Sequence, residues 1–530
     1  MSKRWLLAVA AVSLAAGAVV VWRPKPARRG ADLLPDATPV YLTFANVNAA
    51  RARWAKSPAS ALSAALVKEQ WAGLAGALLR KRWGRLVEVV TEGWPQIAEG
   101  EVFVALTGLQ TVPRIAPQMA VGIQFGARGA QALDWITHFT GLLQREFPAT
   151  RSSRERYFGK SYYLWQGEPG LDICVAMLGD RLIITIGTTP MMEIIERYRE
   201  PERGTLSGSD AFRAVCKRLP ANADWLLVVQ TGPLLQRLDP FVQWLPQLRL
   251  IAQPLARVAG IGAAETLEAD RVHDRVVVTH HPASLLPRQP VPATVLGRLP
   301  ASCMACVLAD VSPHEAYEVV AAAIAAADQR EWLKAWAVFE AGWRAAKVDL
   351  DKDVLAMLKP PLVFAVDWPE SQSPHPLIGV ASSKAGPLRE CLSRAGDPSR
   401  LPLRWQMVND WLWLSGSSES LARAQNAATN AASALAARLR SGTLAHHLPR
   451  GGWAWLYADM SRLLQDKRDS VTSAHPLTCT IRRRGSDDVV TAISSAGVWL
   501  NAWLALESWM AGMARAPANA EVAPPSATPR

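Results

Sequence analysis

The sequence predicts an α+β protein of two related halves, each with mainly antiparallel sheet and flanking helices, carried behind an N-terminal transmembrane helix. Three observations predict it. A Leu-Pro lead-in, followed by an apolar strand, a polar residue and a helix start, recurs at Leu34-Pro35, Leu219-Pro220, Leu299-Pro300 and Leu448-Pro449. Ile186-Gly187-Thr188-Thr189-Pro190 aligns with Ser415-Gly416-Ser417-Ser418-Glu419, at the offset that also carries Leu219-Pro220 onto Leu448-Pro449. The stretch from Trp5 to Trp22 holds no charged residue.

Each repeat of the lead-in reads as strand then helix. The proline precedes the strand, where a missing N–H costs little. In the last copy Trp453, Trp455 and Tyr457 alternate, which places them on one strand face. The strand is predicted to end at Asn48, Gly232, Ser312 and Ser461, all residue types that cap helices. Pro233 and Pro313 follow two of these caps, at a first-turn position that favours proline. Ser312 and Glu315 have the spacing of a capping box. The second repeated segment follows a hairpin in each half, turning at Gly179-Asp180 and at Asn409-Asp410. It leads into helices predicted over 191–198 and 421–439.

Taken in order, residues 1–30 read as a membrane anchor or signal with a basic spacer. Residues 31–281 form the first α+β half, 282–298 a proline-rich connection, 299–514 the second half and 515–530 a disordered Ala/Pro tail. At about 1.5 Å per residue, the stretch from Trp5 to Trp22 nearly spans a hydrocarbon core of about 30 Å. Trp5 and Trp22 stand at its two ends as interfacial anchors. A cleaved signal peptide would instead use Ala16-Gly17-Ala18. Both readings export the body, which the uncleaved anchor would hold at a bacterial inner membrane as a single-pass, periplasmic protein. In the first half, strands are predicted near 102–106 and 119–125, a meander over 157–165, 173–178 and 182–186, and a hairpin over 258–279. In the second half, strands fall near 362–366 and 377–380. Trp332, Trp336, Phe339 and Trp343 fall at helical spacing and read as a core stripe. The last apolar stretch, 496–513, is read as a helix that docks on the body or lies at a membrane interface.

Composition narrows the function classes. The chain has 530 residues and a net charge of +12, but Lys3, Arg4, Arg23, Lys25, Arg28 and Arg29 supply six of those charges. The remainder is only mildly basic, which argues against a nucleic-acid partner. Six scattered cysteines make no disulfide framework. Cys303-x-x-Cys306 lies in a predicted strand, not at a helix N-terminus where a redox thiol is activated. Asp349-x-Asp351-x-Asp353 opens like a calcium loop, but Val354 and Pro360 stand where the loop needs Gly and Glu. His280-His281 and His446-His447 are adjacent pairs, which point to opposite faces of a strand. Gly260-Ile261-Gly262 lacks the third glycine of a dinucleotide loop. No catalytic, cofactor-binding or metal-binding residue is assigned, and no cofactor is implied.

The apolar N-terminal stretch followed by Leu34-Pro35-Asp36-Ala37-Thr38-Pro39-Val40-Tyr41-Leu42 resembles the opening of an exported bacterial family, domain of unknown function 3352. Gly187 to Pro190 and the later Leu-Pro lead-ins are similar to that family's pattern, and the likeness spans roughly 32–495. The resemblance implies export and no activity. The expected function is a non-catalytic binding or scaffold role in the cell envelope, with a membrane partner through the N-terminal helix and an envelope protein or a lipid as further partner. A carrier of lipid or another hydrophobic ligand and an envelope hydrolase with a non-sequential site are the alternatives.

Overall fold

The computed structural model describes residues 29–57, 60, 100–110, 116–125, 151–166, 172–242, 255–268, 271–282, 286–327, 330–369, 373–394, 404–440, 451–459, 476–494 and 497, with a few isolated helical positions besides. Trp5 and Trp22, His446-His447, Ser461 and the stretch 498–513 lie outside the described residues. Among the described residues, no helix is long and apolar enough to cross a membrane.

The chain is α+β, with helices on an antiparallel sheet. The first strands are β1 (Val40–Phe44), β2 (Val102–Gln110), β3 (Ala116–Gln124), β4 (Arg151–Tyr157), β5 (Lys160–Gln166), β6 (Ile173–Leu178), β7 (Arg181–Ile186), β8 (Trp225–Gln230), β9 (Val258–Leu267) and β10 (Val272–His280). The later ones are β11 (Cys303–Ala309), β12 (Leu358–Asp367), β13 (His375–Ser382), β14 (Arg404–Val408), β15 (Trp411–Ser415), β16 (Ala454–Ala458), β17 (Leu477–Arg484) and β18 (Asp487–Ser494). All pair antiparallel into one sheet. Its two flanks meet where β10 pairs with β18, from Val272 opposite Ser494 to Thr279 opposite Asp487. Outward from this seam one flank runs β10, β9, β8, β1, β2, β3, β7, β6, β5, β4. The other runs β18, β17, β16, β11, β12, β13, β15, β14.

The helices are α1 (Val47–Lys56), α2 (Thr188–Arg199), α3 (Asp210–Cys216), α4 (Thr231–Val242), α5 (Pro313–Ala327), α6 (Arg330–Ala345), α7 (Ala385–Arg394), α8 (Ser418–Thr429) and α9 (Leu435–Arg440). In the first flank α2 and α3 bury Met191, Ile194, Ile195, Phe212 and Val215 against Tyr41, Phe103, Ala105 and Ile183 of the sheet. In the second, α8 and α9 bury Leu421, Ala424, Leu435 and Leu439 against Trp413, Trp455 and Tyr457. The opposite face of the second flank holds a smaller core of Val348, Val354, Val380, Leu388, Leu392 and Leu412.

The Leu-Pro lead-in has one physical role at two of its copies. Leu34 and Leu299 are fully buried. The Leu34 carbonyl accepts from the Leu206 amide at 2.9 Å, and the Leu299 carbonyl accepts from the Leu435 amide at 2.8 Å. Pro35 bridges to Thr205 and Pro300 to Ala434. The leucine plugs the helix–sheet core, and the proline, with no amide to satisfy, carries the chain out of it.

Several predicted boundaries move. The first helix is capped by Asn46, whose side chain accepts from the Ala49 amide, not by Asn48. α4 begins at Thr231, one residue ahead of the predicted Gly232 cap. The segment 157–165 is not one strand: Phe158 and Gly159 both have positive φ and turn β4 back onto β5. The helix predicted over 421–439 breaks after Thr429, because Asn430 is extended and its side chain caps the following turn. Ser312 and Glu315 do form the capping box: the Ser312 hydroxyl accepts from the Glu315 amide, and the Glu315 carboxylate takes the Ser312 amide.

Each flank places a glycine of its third strand under an aromatic ring. A Cβ on Gly122 would lie 2.0 Å from Phe103, and one on Gly379 would lie 2.4 Å from Trp413. Overpacking of this kind costs about 1–3 kcal/mol. Gly122→Ala and Gly379→Ala are each expected to lower the stability measured by urea unfolding by about that amount. A second prediction concerns Asp367, which is fully buried, accepts from the Ser302 hydroxyl at 2.6 Å and pairs with Arg423 at 2.7 Å. Arg423→Met leaves that carboxylate buried and short of its cation, and is expected to cost about 3 kcal/mol in the same measurement.

Candidate functional site

The most exposed apolar feature among the described residues is the hairpin of α5 and α6. Alternation of Ala, Val and Ile along α5 and of Trp, Leu, Val and Phe along α6 makes both helices apolar on more than one side. The hairpin is held at its base. The Ser312–Glu315 cap starts α5, and Glu315 pairs with Arg288 at 2.5 Å. That ion pair and the cap hold the Glu315 carboxyl below the usual carboxylate range. The Arg288 guanidinium lies over the Trp453 ring at 5.1 Å.

The aromatic stripe predicted on α6 is present, but it is only partly a core. Trp336 meets Tyr317 of α5 at 5.2 Å and Phe339 at 5.3 Å, both with tilted rings, and Phe339 meets Trp343 edge-on at 6.2 Å. Trp343 packs against the smaller core of the second flank. Yet Phe339 is exposed, as are Val320 and Leu333, and Val319 and Val338 are 63% and 73% exposed. Helices that project in this way keep apolar side chains in water unless something covers them. On the adjoining sheet, Val307 and Phe364 are cross-strand partners and are also exposed.

At the inner end of the hairpin lies an open cleft of about 580 Å³, lined by Tyr317, Glu340, Trp343, Lys347, Asp349 and Asp351 among others. Its carboxylates serve structure. Glu340 accepts from the Tyr317 hydroxyl and the Trp336 indole N–H, both at 3.1 Å. Burial, reinforced by Glu340, pushes the Tyr317 hydroxyl above its usual range. Asp349 caps the turn at 350–354 by accepting from the Asp351 and Lys352 amides, which lowers its carboxyl. Asp353 accepts from the Asp349 amide at 2.9 Å, and Asp351 pairs with His314 at 2.8 Å. Asp349, Asp351 and Asp353 are therefore turn and cap residues, and no metal-binding group occurs among the described residues.

The other sequence candidates are placed apart. Cys303 and Cys306 lie buried in β11, where the Cys303 thiol donates to the Ala305 carbonyl at 3.2 Å. Burial drives the Cys306 thiol far above its usual range. His280 sits at the end of β10 and pairs with Asp488 at 2.9 Å. Burial works against the Asp488 carboxylate, but hydrogen bonds from Arg483, Trp453 and His280 leave its carboxyl below the usual range. Gly260-Ile261-Gly262 is part of β9, and Gly262 lies against Val215 and Leu219. Sequence reading missed the exposure of Val319 and Val338. It also missed the carboxyl groups of Asp224, Glu265 and Asp274, all buried beside the seam.

No protein-family model matches the chain, and no curated protein matches it. Among solved structures the chain is similar to TP0453 in three crystal forms. Form III is 12% identical with a TM-score of 0.28, covering 49% of this chain and 84% of that one. Form I is 12% identical with a TM-score of 0.27, over 49% and 82%. Form IV is 13% identical with a TM-score of 0.28, over 48% and 82%. Identities and TM-scores this low leave the chain to be read from its own residues.

Thiol chemistry gives a direct check on this placement. Burial pushes Cys174 and Cys479 to about 12 and Cys216 to about 11. Only the thiolate reacts. Alkylation of the native protein near neutral pH is therefore expected to be slow at Cys174, Cys216, Cys306 and Cys479 and to become fast only in denaturant. Rapid native labelling of Cys306, followed by mass spectrometry, would contradict it.

Proposed function

We propose that this chain is a membrane-anchored, extracytoplasmic binding or scaffold protein of the cell envelope, built from two related halves joined at β10 and β18. The observation that carries the binding role is the α5–α6 hairpin, which holds Val319, Val338 and Phe339 out into solvent on helices anchored at one end. The anchoring rests on the uncharged stretch from Trp5 to Trp22. The two-half reading is supported by the strand orders, since β10-β9-β8-β1-β2-β3-β7-β6 and β18-β17-β16-β11-β12-β13-β15-β14 follow the same sequence of connections. It is also supported by the matched bonds of Leu34 and Leu299. A second reading, a carrier of lipid or another hydrophobic ligand, draws on the exposed Val307 and Phe364 on the sheet beside the hairpin.

Photo-crosslinking in the full-length protein in cells separates these readings. A crosslinker placed at Val338 is expected to give a discrete protein adduct for the scaffold and a lipid adduct for the carrier. No adduct at Val338, with adducts at a polar surface position such as Glu200, would remove the hairpin as the binding face. Val319→Asp with Val338→Asp is expected to abolish the adduct formed from position 339 while changing stability by no more than about 0.5 kcal/mol, because both side chains face water. Removal of residues 1–28 is expected to leave the body in the cytoplasm on fractionation; continued export would refute the targeting role.

A further inference from the structure

The seam contains a pair of acidic side chains that the fold forces together. Glu265 of β9 and Asp274 of β10 are direct cross-strand partners, so their side chains leave the same face of adjacent strands. They are 6% and 2% exposed. Buried side by side, the two carboxyl groups can hydrogen-bond only if one of them keeps a proton, because two carboxylates have only acceptors. β10 is also the strand that pairs with β18, with Asp274 opposite Ala492.

The surroundings hold that proton in place. From the head of β8, Asp224 adds a further negative charge that favours the bound proton, against the Trp225 indole, which favours the ionised Glu265. Asp224 is itself engaged, accepting from Arg53 of α1 at 2.7 Å and from the Leu267 amide at 2.8 Å. From β17, Cys479 lies in the same row of the sheet as Asp274, and its thiol is kept protonated by burial and by that charge. Gly497, beyond the end of β18, lies against the pair. Gly497 donates its amide to the Ser494 hydroxyl at 2.9 Å, and a Cβ at Gly497 would lie 2.8 Å from Glu265 Oε2 and 3.6 Å from Asp274 Oδ2. Only glycine, here at φ +78°, brings backbone so close to the two carboxyls. Among the described residues Glu265 makes no ion pair.

We propose that the single proton shared by Glu265 and Asp274 is a pH-responsive latch on the seam between the two flanks of the sheet. While it is bound, β9, β10 and Gly497 pack on a hydrogen-bonded pair that carries a single negative charge. When it leaves to solvent, two adjacent carboxylates remain in a site built for one charge, and the β9–β10–β18 junction loosens.

The direction with pH follows. Burial first, then the charge of Asp274, raises the Glu265 carboxyl from 4.5 to about 8. Folded protein therefore keeps a proton that unfolded protein releases, so the latch contributes stability at low pH and loses it as pH rises through about 8. For one proton, the unfolding equilibrium constant rises by up to about tenfold per pH unit across the window between those two values.

The test uses the detergent-purified full-length protein and its Glu265→Gln variant, in which an amide N–H replaces the shared proton. Chemical unfolding is followed from about pH 5 to about pH 9. The expected result is a wild-type advantage that shrinks steadily across this range relative to Glu265→Gln, together with faster amide exchange at Val276–Thr279 in alkaline wild type only. Parallel stability profiles for the two proteins would overturn the proposal. Should Glu265→Gln fail to fold, difference infrared spectra of the wild type decide: a protonated carboxyl band near neutral pH that Asp274→Asn shifts supports the latch, and absence of any such band refutes it.

Discussion

The antiparallel ladder between β10 and β18 is the contact on which the molecule depends. Without it each flank would end in an open strand with a row of unpaired N–H and C=O groups, a template for uncontrolled pairing. Joined, the two edges satisfy each other from Val272 and Ser494 to Thr279 and Asp487. Side chains pin the register. Arg218, beyond the end of α3, reaches Asp487 of β18 at 2.8 Å. His280 of β10, Trp453 and Arg483 converge on Asp488. A slip by one residue would turn every side chain of β18 to the other face and break all of these at once.

The remaining described edges are managed differently. β4 carries Arg151, Arg154 and Arg156 on a strand exposed on both faces, and charge at an edge discourages pairing. Between edge and seam, the helices divide unequally. α2 and α3 seal one flank and α8 and α9 the other, whereas α5 and α6, which meet through Tyr317 and Trp336, leave apolar side chains exposed. The surface proposed for binding is thus the part of the fold that its own cores leave uncovered. The proposed latch lies elsewhere, at the joint, so the two proposed sites occupy separate places on the sheet.

Much of this was legible in the residues. The turns at Gly179-Asp180 and Asn409-Asp410 both stand where their chemistry places them. Short-range signals are reliable because a positive φ or a cap is a local demand. The misjudged points are those where a neighbour outweighs the local signal. Asn48 is a good cap by type, but Asn46 is the last extended residue before the helix and its side chain accepts from the Ala49 amide. The aromatic stripe of α6 has the spacing of a core helix, yet among the described residues Phe339 and Val338 stay exposed. Glu265 and Asp274 carry no local signal, since only the β9–β10 register puts them opposite each other.

By itself, then, the sequence determined the α+β character, the strand-then-helix units and the uncharged N-terminal stretch, because hydrophobic period, caps and turn residues act over a few neighbours. Tertiary structure alone decided which strands meet at the seam, which apolar helices stay in water and which buried carboxyls touch. Those outcomes depend on pairings between residues hundreds of positions apart, such as Arg218 with Asp487, and no local pattern encodes them.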